Sequence, residues 1–357
     1  MARQLSEEPR MSDQNISAKD ELSPGQIMGV LTGYWQARIL LTAASFDLFT
    51  LLSEEPASAE QVSERLGIRM PGASDFLLAL SGMGFLEAAE DGMFRNSPAA
   101  EQFLVRGRPA HIGGYLQFCE RELNPAWDGL GTALRTGSPQ NPAARSGNPY
   151  DTLYADREAT DSFLESMDML NTPLLRRVSS LDWSRYGSFV DVGGARGNVA
   201  QHLVREHPHL EGGVFDLPPL EGAFAAYMNS LGGTAKERIA FHGGDFFKDP
   251  LPKADVLIFG HVLHNWSADN RRTLLRNAYS AIRPGGAVII YDPMVSNSRP
   301  PLYATLAALS MLVWSAGGGE YAVGECHSWL KEAGFRPETV GPENTPDDVL
   351  IIGHKDS

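Results

Sequence analysis

Hydrophobic and polar positions change their spacing about halfway along this 357-residue chain. From Gln26 to about Ala110, apolar residues recur at intervals of three and four, which is typical of amphipathic helices. From Phe189 onwards, short apolar runs of strand length alternate with helical segments. The spacing therefore predicts a mostly helical N-terminal part and an α/β C-terminal part.

The N-terminal part is expected to hold helices followed by a hairpin. Ser58 and Gln61 have the spacing of a capping box at the start of a short helix that ends at Gly67, and Pro71 opens another helix. The segment FLEAAEDGMFRN then predicts a β-hairpin with an Asp-Gly turn. Together these elements outline a winged helix, in a domain placed at residues 26–110 after a flexible tail at 1–25. The first helix is apolar on more than one face and is expected to pack against a second chain.

The winged-helix outline also allows a DNA-binding regulator. The recognition helix of such a protein would run from Ala73 to Gly84, but it contains Asp75 and no Lys or Arg. Proteins that read the major groove contact phosphates and bases with such side chains. The net charge of −14 also disfavours a phosphate backbone as partner. A dimerising role is the better interpretation, and no nucleic-acid partner is expected.

Residues 111–180 form the middle of the chain and are predicted to be helical and irregular. They are rich in glycine, proline and aromatic residues, among them Tyr115, Phe118, Trp127, Tyr150, Tyr154 and Phe163. Both a linker and the wall of a substrate pocket fit this composition.

The C-terminal part, residues 181–357, alternates strands with helices. The strands FVDVGG, GGVFDL, IAFHGGDFF, ADVLIFG and AVIIYDPM are interrupted by helical segments at 197–206, 219–231 and 268–282. This order predicts a doubly wound parallel sheet. Ligands of such sheets bind beyond the carboxyl ends of the strands, so functional residues are expected where each strand stops.

Glycines and carboxylates stand at three successive strand ends. The first strand ends in DVGGARG, the second at Asp216, and the third in GDFF with Asp245 and Phe246. A glycine turn lets the backbone approach a ligand, a carboxylate can accept bonds from ribose hydroxyls, and an aromatic ring suits adenine. A turn or helix-capping aspartate is the alternative at Asp216. A nicotinamide dinucleotide site would favour GxGxxG, whereas this chain has GGxxG.

The fourth strand is followed by GHVLHNWS, which contains His261 and His264. If this stretch were helical, the two imidazoles would share a face and could bind a metal together with Asp292. The apolar run before it is a strand, however, and Ser267 is the expected N-cap of the next helix, so the turn need not align the pair. Two cysteines are too few for a zinc ribbon. No metal is expected.

Six segments, taken in order and spacing, resemble the S-adenosylmethionine-dependent O-methyltransferases of the caffeate and hydroxyindole type: DVGGARG, FDLP, GDFF, VLHNWS, RPGGAVIIYDPM and GGGEY. The resemblance extends over nearly the whole chain, because members also have an N-terminal, mostly helical, winged-helix-like dimerisation domain. It implies a Rossmann-like class I methyltransferase sheet, a homodimer, S-adenosyl-L-methionine as cofactor and S-adenosyl-L-homocysteine as product.

The resemblance also implies the cofactor contacts. Gly193 would meet the methionine end, Asp216 the ribose, and Asp245 with Phe246 the adenine. The full predicted set is Asp191, Gly193, Gly194, Asp216, Leu217, Gly244, Asp245, Phe246, Gly260 and His261. Plant members often carry a lysine at the position of Gly260, so that contact would be absent or differently supplied. Ala195 stands where a third glycine is common and is expected to keep φ below zero.

For catalysis, the resemblance implies that His264 is the general base and that Asp292 and Glu320 hold and polarise its ring. Asp292 is one methylene shorter than the glutamate of the plant members, and would still serve if the ring lies closer or a water intervenes. The segment FLESM and the helix before GGGEY would line the acceptor pocket, with the predicted substrate contacts Phe163, Met167, Leu170, Met311 and Trp314.

The expected function is therefore O-methylation of a small aromatic or polyketide-like natural product in secondary metabolism. Methylation of carbon or nitrogen on the same fold, or a relative that no longer transfers methyl groups, is the nearest alternative. A nicotinamide-dependent oxidoreductase and a winged-helix regulator are the alternatives from other classes. No apolar run approaches the roughly 20 residues that span a bilayer, so no membrane partner and a cytoplasmic location are expected.

Overall fold

The computed structural model describes residues 23–141, 144, 149–232, 235–295, 302–341 and 348–357. The predicted flexible tail at residues 1–25 lies outside this description except for its last three residues. The chain divides into two compact units, Met1–Ala100 and Glu101–Ser357.

The first unit combines helices with a small antiparallel sheet. Its helices are α1 (Pro24–Ser45), α2 (Leu48–Glu54), α3 (Ala59–Leu66) and α4 (Gly72–Gly82), and α5 (Pro98–Phe103) begins at its end. Its strands are β1 (Ala57–Ser58), β2 (Leu86–Ala88) and β3 (Met93–Asn96), with β3 in the centre.

The local signals in this unit form as predicted. The Ser58 hydroxyl accepts from the N–H of Gln61, and the Gln61 side chain accepts from the N–H of Ser58 at 2.8 Å, so the capping box at the start of α3 is confirmed. Strands β2 and β3 pair with Leu86 opposite Asn96. Gly92 takes the left-handed φ of 80° that the turn between them requires. The predicted hairpin is confirmed.

One face of α1 is left uncovered by the part of this unit that the structure describes, residues 23–100. Six large apolar or aromatic side chains on it are more than half exposed: Ile27, Met28, Val30, Leu31, Tyr34 and Trp35. Exposed apolar surface of this extent marks an interaction site in a folded protein.

The second unit is built on a sheet that has seven strands among the described residues, in the order β6-β5-β4-β7-β8-β10-β9. The strands are β4 (Ser188–Val192), β5 (Glu211–Asp216), β6 (Ile239–Gly243), β7 (Ala254–Gly260), β8 (Ile282–Asp292), β9 (Arg336–Val340) and β10 (Val349–His354). The five strands from β6 to β8 in this order run parallel, and β10 is antiparallel to both β8 and β9. The predicted doubly wound α/β sheet is confirmed.

Helices connect and cover these strands. They are α6 (Gly113–Phe118), α7 (Asn124–Asp128), α8 (Leu130–Thr136), α9 (Pro149–Leu153), α10 (Arg157–Ser179), α11 (Asn198–Glu206), α12 (Glu221–Leu231), α13 (Ala268–Ala281), α14 (Leu302–Trp314) and α15 (Val323–Ala333). A π-helical turn spans Cys119–Leu123, and 3-10 turns span Pro218–Leu220, Ala235–Arg238 and Leu263–Asn265. Within the described part of the chain, no helix is long and apolar enough to cross a membrane.

Both faces of the sheet are buried, as strand β7 illustrates. Val256 and Ile258 belong to the core on one face, and Leu257 and Phe259 belong to the core on the other. Alternation of side chains along a strand sends successive residues to opposite faces. Because apolar side chains fill both faces, polar and ligand-binding residues are expected at the carboxyl edge of the parallel strands.

We expect Leu203→Ala in α11 to destabilise the second unit. Leu203 is fully buried on one face of the sheet, so its truncation should leave a cavity and cost about 3 kcal/mol of unfolding free energy. Leu231→Ala at the exposed end of α12 is the matched control and should change stability by less than about 0.5 kcal/mol. Urea unfolding followed by circular dichroism measures both, and equal losses would contradict the assignment of the core.

Candidate active site

The turn after β4 brings the backbone close to its neighbours. Gly193 adopts a left-handed φ of 74°, and a Cβ atom there would lie 2.7 Å from Cγ2 of Val262. A Cβ atom on Gly194 would lie 2.6 Å from Oδ2 of Asp191. Side chains are therefore excluded at both glycines, and the turn offers a bare backbone cradle to a ligand at the carboxyl end of β4.

Ala195 departs from the expectation that its φ stays below zero. Its φ is 52°, a left-handed conformation that costs an L-residue roughly 1 to 2 kcal/mol. Its N–H donates a 2.8 Å hydrogen bond to Oδ2 of Asp216. This bond holds the residue in the unfavourable conformation, so the expectation is wrong because it left out the carboxylate at the end of β5.

Asp216 is bonded to the backbone through both carboxylate oxygens. Oδ2 accepts from Ala195, and Oδ1 accepts a 2.7 Å bond from the N–H of Leu217. Burial raises the pKa of Asp216 to about 6, although both bonds favour its charged form. Each oxygen keeps a further lone pair, so the turn role and a ribose contact are compatible. The N–H of Gly244 donates to the backbone carbonyl of Asp216 at 2.9 Å and ties the next turn to this one.

Asp191 lies beneath the glycine turn, where its side chain is buried. Burial, together with the negative charge of Asp216, raises the pKa of Asp191 to about 7. The two carboxylates form a patch that favours a positively charged or hydrogen-bond-donating ligand.

Asp245 and Phe246 lie in the turn after β6. Oδ2 of Asp245 pairs with Nζ of Lys248 at 2.8 Å, and Oδ1 accepts a 2.9 Å bond from the backbone N–H two residues later. Burial raises the pKa of Asp245, but these two bonds outweigh burial and the pKa is lowered. Phe246 packs edge-on against Trp266, with ring centroids 5.7 Å apart. A charged carboxylate and a half-buried aromatic ring thus stand side by side at the third strand end.

Position 260, at the end of β7, has room only for glycine because of the Tyr291 side chain. A Cβ atom there would lie 1.9 Å from Cζ of Tyr291, whose ring is buried at the adjacent position of β8. The Tyr291 ring therefore occupies the space that a side chain at position 260 would need. This packing accounts for the glycine at position 260.

His264 contacts the two acidic side chains named from the sequence. Its Nδ1 lies 2.8 Å from Oε1 of Glu320 and 3.8 Å from Oδ1 of Asp292. The other carboxylate oxygen of Asp292, Oδ2, accepts a 2.5 Å bond from the Tyr321 hydroxyl. Glu320 is thus the direct partner of the ring, and Asp292 lies beyond hydrogen-bond distance.

The pairing takes place away from solvent. Burial lowers the pKa of His264, and burial raises the pKa of both Glu320 and Asp292. The directions agree, because a buried site disfavours charge on every partner. With Nδ1 bonded to Glu320, Nε2 is the ring nitrogen left to meet an acceptor.

The loop that carries Glu320 is held against the turn that carries His264. The N–H of Gly319 donates to the carbonyl of His264 at 2.9 Å, and the Ser315 hydroxyl donates to the carbonyl of Asn265 at 3.1 Å. Buried Arg271, on α13, bonds the carbonyls of both segments through its guanidinium group, Leu263 on one side and Gly319 on the other. The sequence did not single out Arg271. A lone cation among the apolar positions of an otherwise amphipathic helix is the signal that could have found it.

His261 takes a different partner from His264. Its Nε2 lies 2.8 Å from Oδ2 of Asp348, just before β10, and its Nδ1 is buried without a hydrogen-bond partner in the described part of the chain. The two histidines therefore bind separate carboxylates. In the described ranges, no group of three or more His, Cys, Asp or Glu side chains is arranged to hold a metal ion.

An aromatic cluster gathers three of the five predicted substrate residues. Phe163 and Met167 of α10 and Trp314 of α14 share it with Phe118, Tyr150 and Tyr154 from the middle region. Trp314 hydrogen-bonds Tyr150, and burial raises the pKa of both tyrosines. Ala195 of the glycine turn packs against the same cluster. Leu170 and Met311 are half-buried and lie outside it.

The opposite face of α10 borders a separate cavity of about 550 Å³. Charged and polar residues line it, including Arg157, Glu158, Asp161 and Glu165. Arg157 pairs with Asp161 within it at 3.8 Å. Because Phe163 and Met167 project from the other side of the helix, this cavity is distinct from the aromatic cluster.

Two family models match the chain. A model of an O-methyltransferase domain matches residues 127–336, and a model of an O-methyltransferase dimerisation domain matches residues 28–106. The second match covers the elements that outline a winged helix.

Relatives match over most of their length. The tetracenomycin polyketide synthesis 8-O-methyl transferase of Streptomyces glaucescens is 43% identical over 334 residues, which cover 93% of this chain and 97% of the relative. The N,N-dimethyltransferase OxyT of Streptomyces rimosus is 39% identical over 335 residues, which cover 92% and 96%.

Solved structures share the fold. Human N-acetylserotonin methyltransferase in complex with S-adenosylmethionine superposes with a TM-score of 0.85 at 24% identity, over 96% of this chain and all of that one. PigF with S-adenosylhomocysteine superposes with a TM-score of 0.86 at 25% identity, over 94% and 100%.

We expect Gly260→Ala to destabilise the second unit, because the added methyl group would overlap the buried Tyr291 ring. Overpacking of this kind costs about 1 to 3 kcal/mol. Gly324→Ala in α15 has open space around its Cβ and should be neutral or slightly stabilising. Thermal unfolding compares the two, and a Gly260→Ala variant as stable as the wild type would show that the ring does not fill this space.

Proposed function

The chain belongs to the S-adenosylmethionine-dependent O-methyltransferases, and on this premise we propose that it methylates a hydroxyl group of a small aromatic or polyketide-like natural product. The observation that carries the proposal is the buried His264–Glu320 hydrogen bond at the carboxyl edge of the sheet. A histidine held through Nδ1 in this way is suited to take a proton on Nε2.

The strand ends fit the cofactor. Gly193 and Gly194 have no room for side chains, so their backbone can lie against the methionine part. Asp216 retains lone pairs for ribose hydroxyls, and Asp245 with Phe246 offers a carboxylate and a ring to adenine. His261 belongs to the proposed set as well, through its place after β7. The other four members, Asp191, Leu217, Gly244 and Gly260, are proposed to contribute backbone atoms or, for Asp191, a buried carboxylate below the glycine turn. When bound, the cofactor supplies an electrophilic methyl group on a positively charged sulfur.

His264 is proposed to remove the acceptor proton as the oxygen attacks. A phenolic hydroxyl with a pKa near 10 is mostly protonated at neutral pH, and a positioned base is worth roughly 10² to 10⁴ in rate. The proton moves to Nε2 of His264, while Glu320 accepts the hydrogen bond of Nδ1–H and stabilises the imidazolium. Alignment of the acceptor oxygen with the methyl carbon can supply about 7 to 11 kcal/mol more.

The acceptor is proposed to bind against the aromatic cluster. Phe163, Met167 and Trp314 give an apolar wall beside the glycine turn, extended by Tyr150 and Tyr154, whose rings are inclined to that of Phe163 by 60° and 52°. Inclined rings of this kind suit edge-to-face contact with fused aromatic rings. Leu170 and Met311 are kept as outer contacts only, since neither reaches this cluster. The relative named for tetracenomycin polyketide synthesis supports an acceptor of this class.

Nitrogen methylation is the second candidate, because a 39% identical relative is named an N,N-dimethyltransferase. The same base and pocket would serve an aromatic amine. The product's mass and the carbon chemical shift of its new methyl group distinguish O-methyl from N-methyl.

The chain is further proposed to act as a homodimer through its N-terminal unit. The dimerisation-domain match at residues 28–106 and the exposed apolar face of α1 support this assignment. Burial of that face would remove several large side chains from water at once.

We expect His264→Ala to lower methyl transfer about 10²- to 10⁴-fold, because the proton acceptor is lost. Turnover is measured with methyl-labelled S-adenosylmethionine on a panel of hydroxynaphthoates and hydroxyanthraquinones. Calorimetric binding of S-adenosylhomocysteine should stay within about twofold of the wild type, since the cofactor cradle is untouched. Wild-type turnover in the variant would rule out His264 as the base.

Glu320→Gln should damage catalysis more than Asp292→Asn. The glutamine amide can donate to Nδ1 and leave the proton on Nε2, which then cannot accept another, so kcat should fall about 10² to 10³-fold. Asp292 is 3.8 Å from the ring, and its loss as a charge should cost about tenfold or less. Single-turnover rates at neutral pH test the ranking. The reverse order would assign the orienting role to Asp292.

A further inference from the structure

His261 is held at three points in an unfavourable backbone conformation. Its φ is 53°, one of three non-glycine residues in the described ranges with a positive value. Its N–H donates to the carbonyl of Tyr291 at 2.9 Å, and its carbonyl accepts a 2.9 Å bond from Nδ2 of Asn265. Its ring is bonded to Asp348 at 2.8 Å. Strain maintained by several bonds beside a catalytic centre points to a role there.

The two histidine rings lie next to each other. The ring centroids of His261 and His264 are 5.9 Å apart, with the planes tilted by 30°. The side chains of His261 and Asp348 are only 9% and 10% exposed, so solvent screens little of any charge on them. Charged and titratable groups from several elements face this pair of rings: Asp292 and Tyr291 from β8, Glu320 from its loop, Asp348 from the start of β10, and Arg271 from α13.

We propose that Asp348 and His261 form a second histidine–carboxylate pair whose positive imidazolium keeps the neighbouring base His264 unprotonated at neutral pH. His261 and Asp348 are positioning residues in this assignment, since they act through His264. The proposal rests on the proposed function, in which His264 is the base.

Burial alone would make His261 neutral, but the charge and hydrogen bond of Asp348 outweigh it and raise the pKa of His261. Burial lowers the pKa of His264, and the positive charge on His261 lowers it further, against the carboxylates that raise it. A cation beside an imidazole disfavours a second cation there. His264 is thus unprotonated before each transfer.

The test is the pH dependence of kcat/KM for the most active hydroxyaromatic of the panel above. His261→Asn removes the cation, and asparagine tolerates the left-handed backbone. Because its loss raises the pKa of His264, the acid limb of the profile should move up by about one pH unit. The rate at high pH should stay within about threefold of the wild type. A uniform loss with an unmoved acid limb, or an unchanged profile, would overturn the proposal.

Two further variants sharpen the result. Asp348→Asn keeps the side-chain shape but leaves His261 neutral, so the acid limb should again move to higher pH. The shift should be smaller than in His261→Asn, because the negative charge of Asp348, which raises the pKa of His264, is lost as well. Asp348→Asn carries the test alone if His261→Asn fails to fold, and a shift in the other direction would overturn the proposal. His354→Asn breaks another histidine–carboxylate pair, with Glu338 at 3.0 Å, and should leave the profile unchanged; a matching shift there would also overturn it.

Binding of S-adenosylhomocysteine separates this role from the cofactor contact predicted for His261. Affinity within twofold of the wild type in His261→Asn is expected. A tenfold loss of affinity with an unmoved acid limb would place the ring in the cofactor site instead. Failure of the proposed function looks different, because the wild type itself would then show no methyl transfer, or His264→Ala would retain it.

Discussion

The arrangement of the proposed active site depends on one buried hydrogen bond, between Nδ1 of His264 and Oε1 of Glu320. It joins two segments that are 56 residues apart, so the backbone of each must be fixed independently. The cation of Arg271 does this by bonding carbonyls of both segments from within the core. Without these Arg271 hydrogen bonds, the distance from the Glu320 carboxylate to the His264 ring would not be fixed. The direction in which Nε2 of His264 points would then not be fixed either.

Close backbone packing imposes the second constraint. At Gly193 and Gly260 a side chain would collide with Val262 and Tyr291. At Ala195 and His261 the chain instead accepts positive φ angles, each maintained by hydrogen bonds. The carboxyl edge of the sheet is thus built from bare backbone and from side chains that hydrogen bonds hold in place.

The sequence predicts most of the residues at this edge, because the carboxyl ends of parallel strands lie at the same edge of a sheet. Asp216, Asp245 and His264 lie at or just after the ends of such strands, so their placement at one edge follows from the sequence. The placement of Asp348 could not be predicted in this way, because Asp348 precedes the antiparallel strand β10. The position of β10 in the sheet depends on its long-range pairing with β8 and β9. Arg271 was missed because it is one of three arginines on α13, and a charged residue on a helix usually faces solvent. The positive φ of Ala195 followed from a hydrogen bond to the next strand, which local preference cannot show.

The proposed role of His264 as base depends on which of its ring nitrogens carries the proton. Long-range proton–nitrogen correlation of ¹⁵N-histidine-labelled protein, saturated with S-adenosylmethionine at neutral pH, reads the protonation of both ring nitrogens, with His264→Gln to assign the signal. We predict a proton on Nδ1, shared with Glu320, and an unprotonated Nε2. A neutral ring with its proton on Nε2, or a doubly protonated ring, would contradict this prediction, because neither could accept the proton of an acceptor hydroxyl.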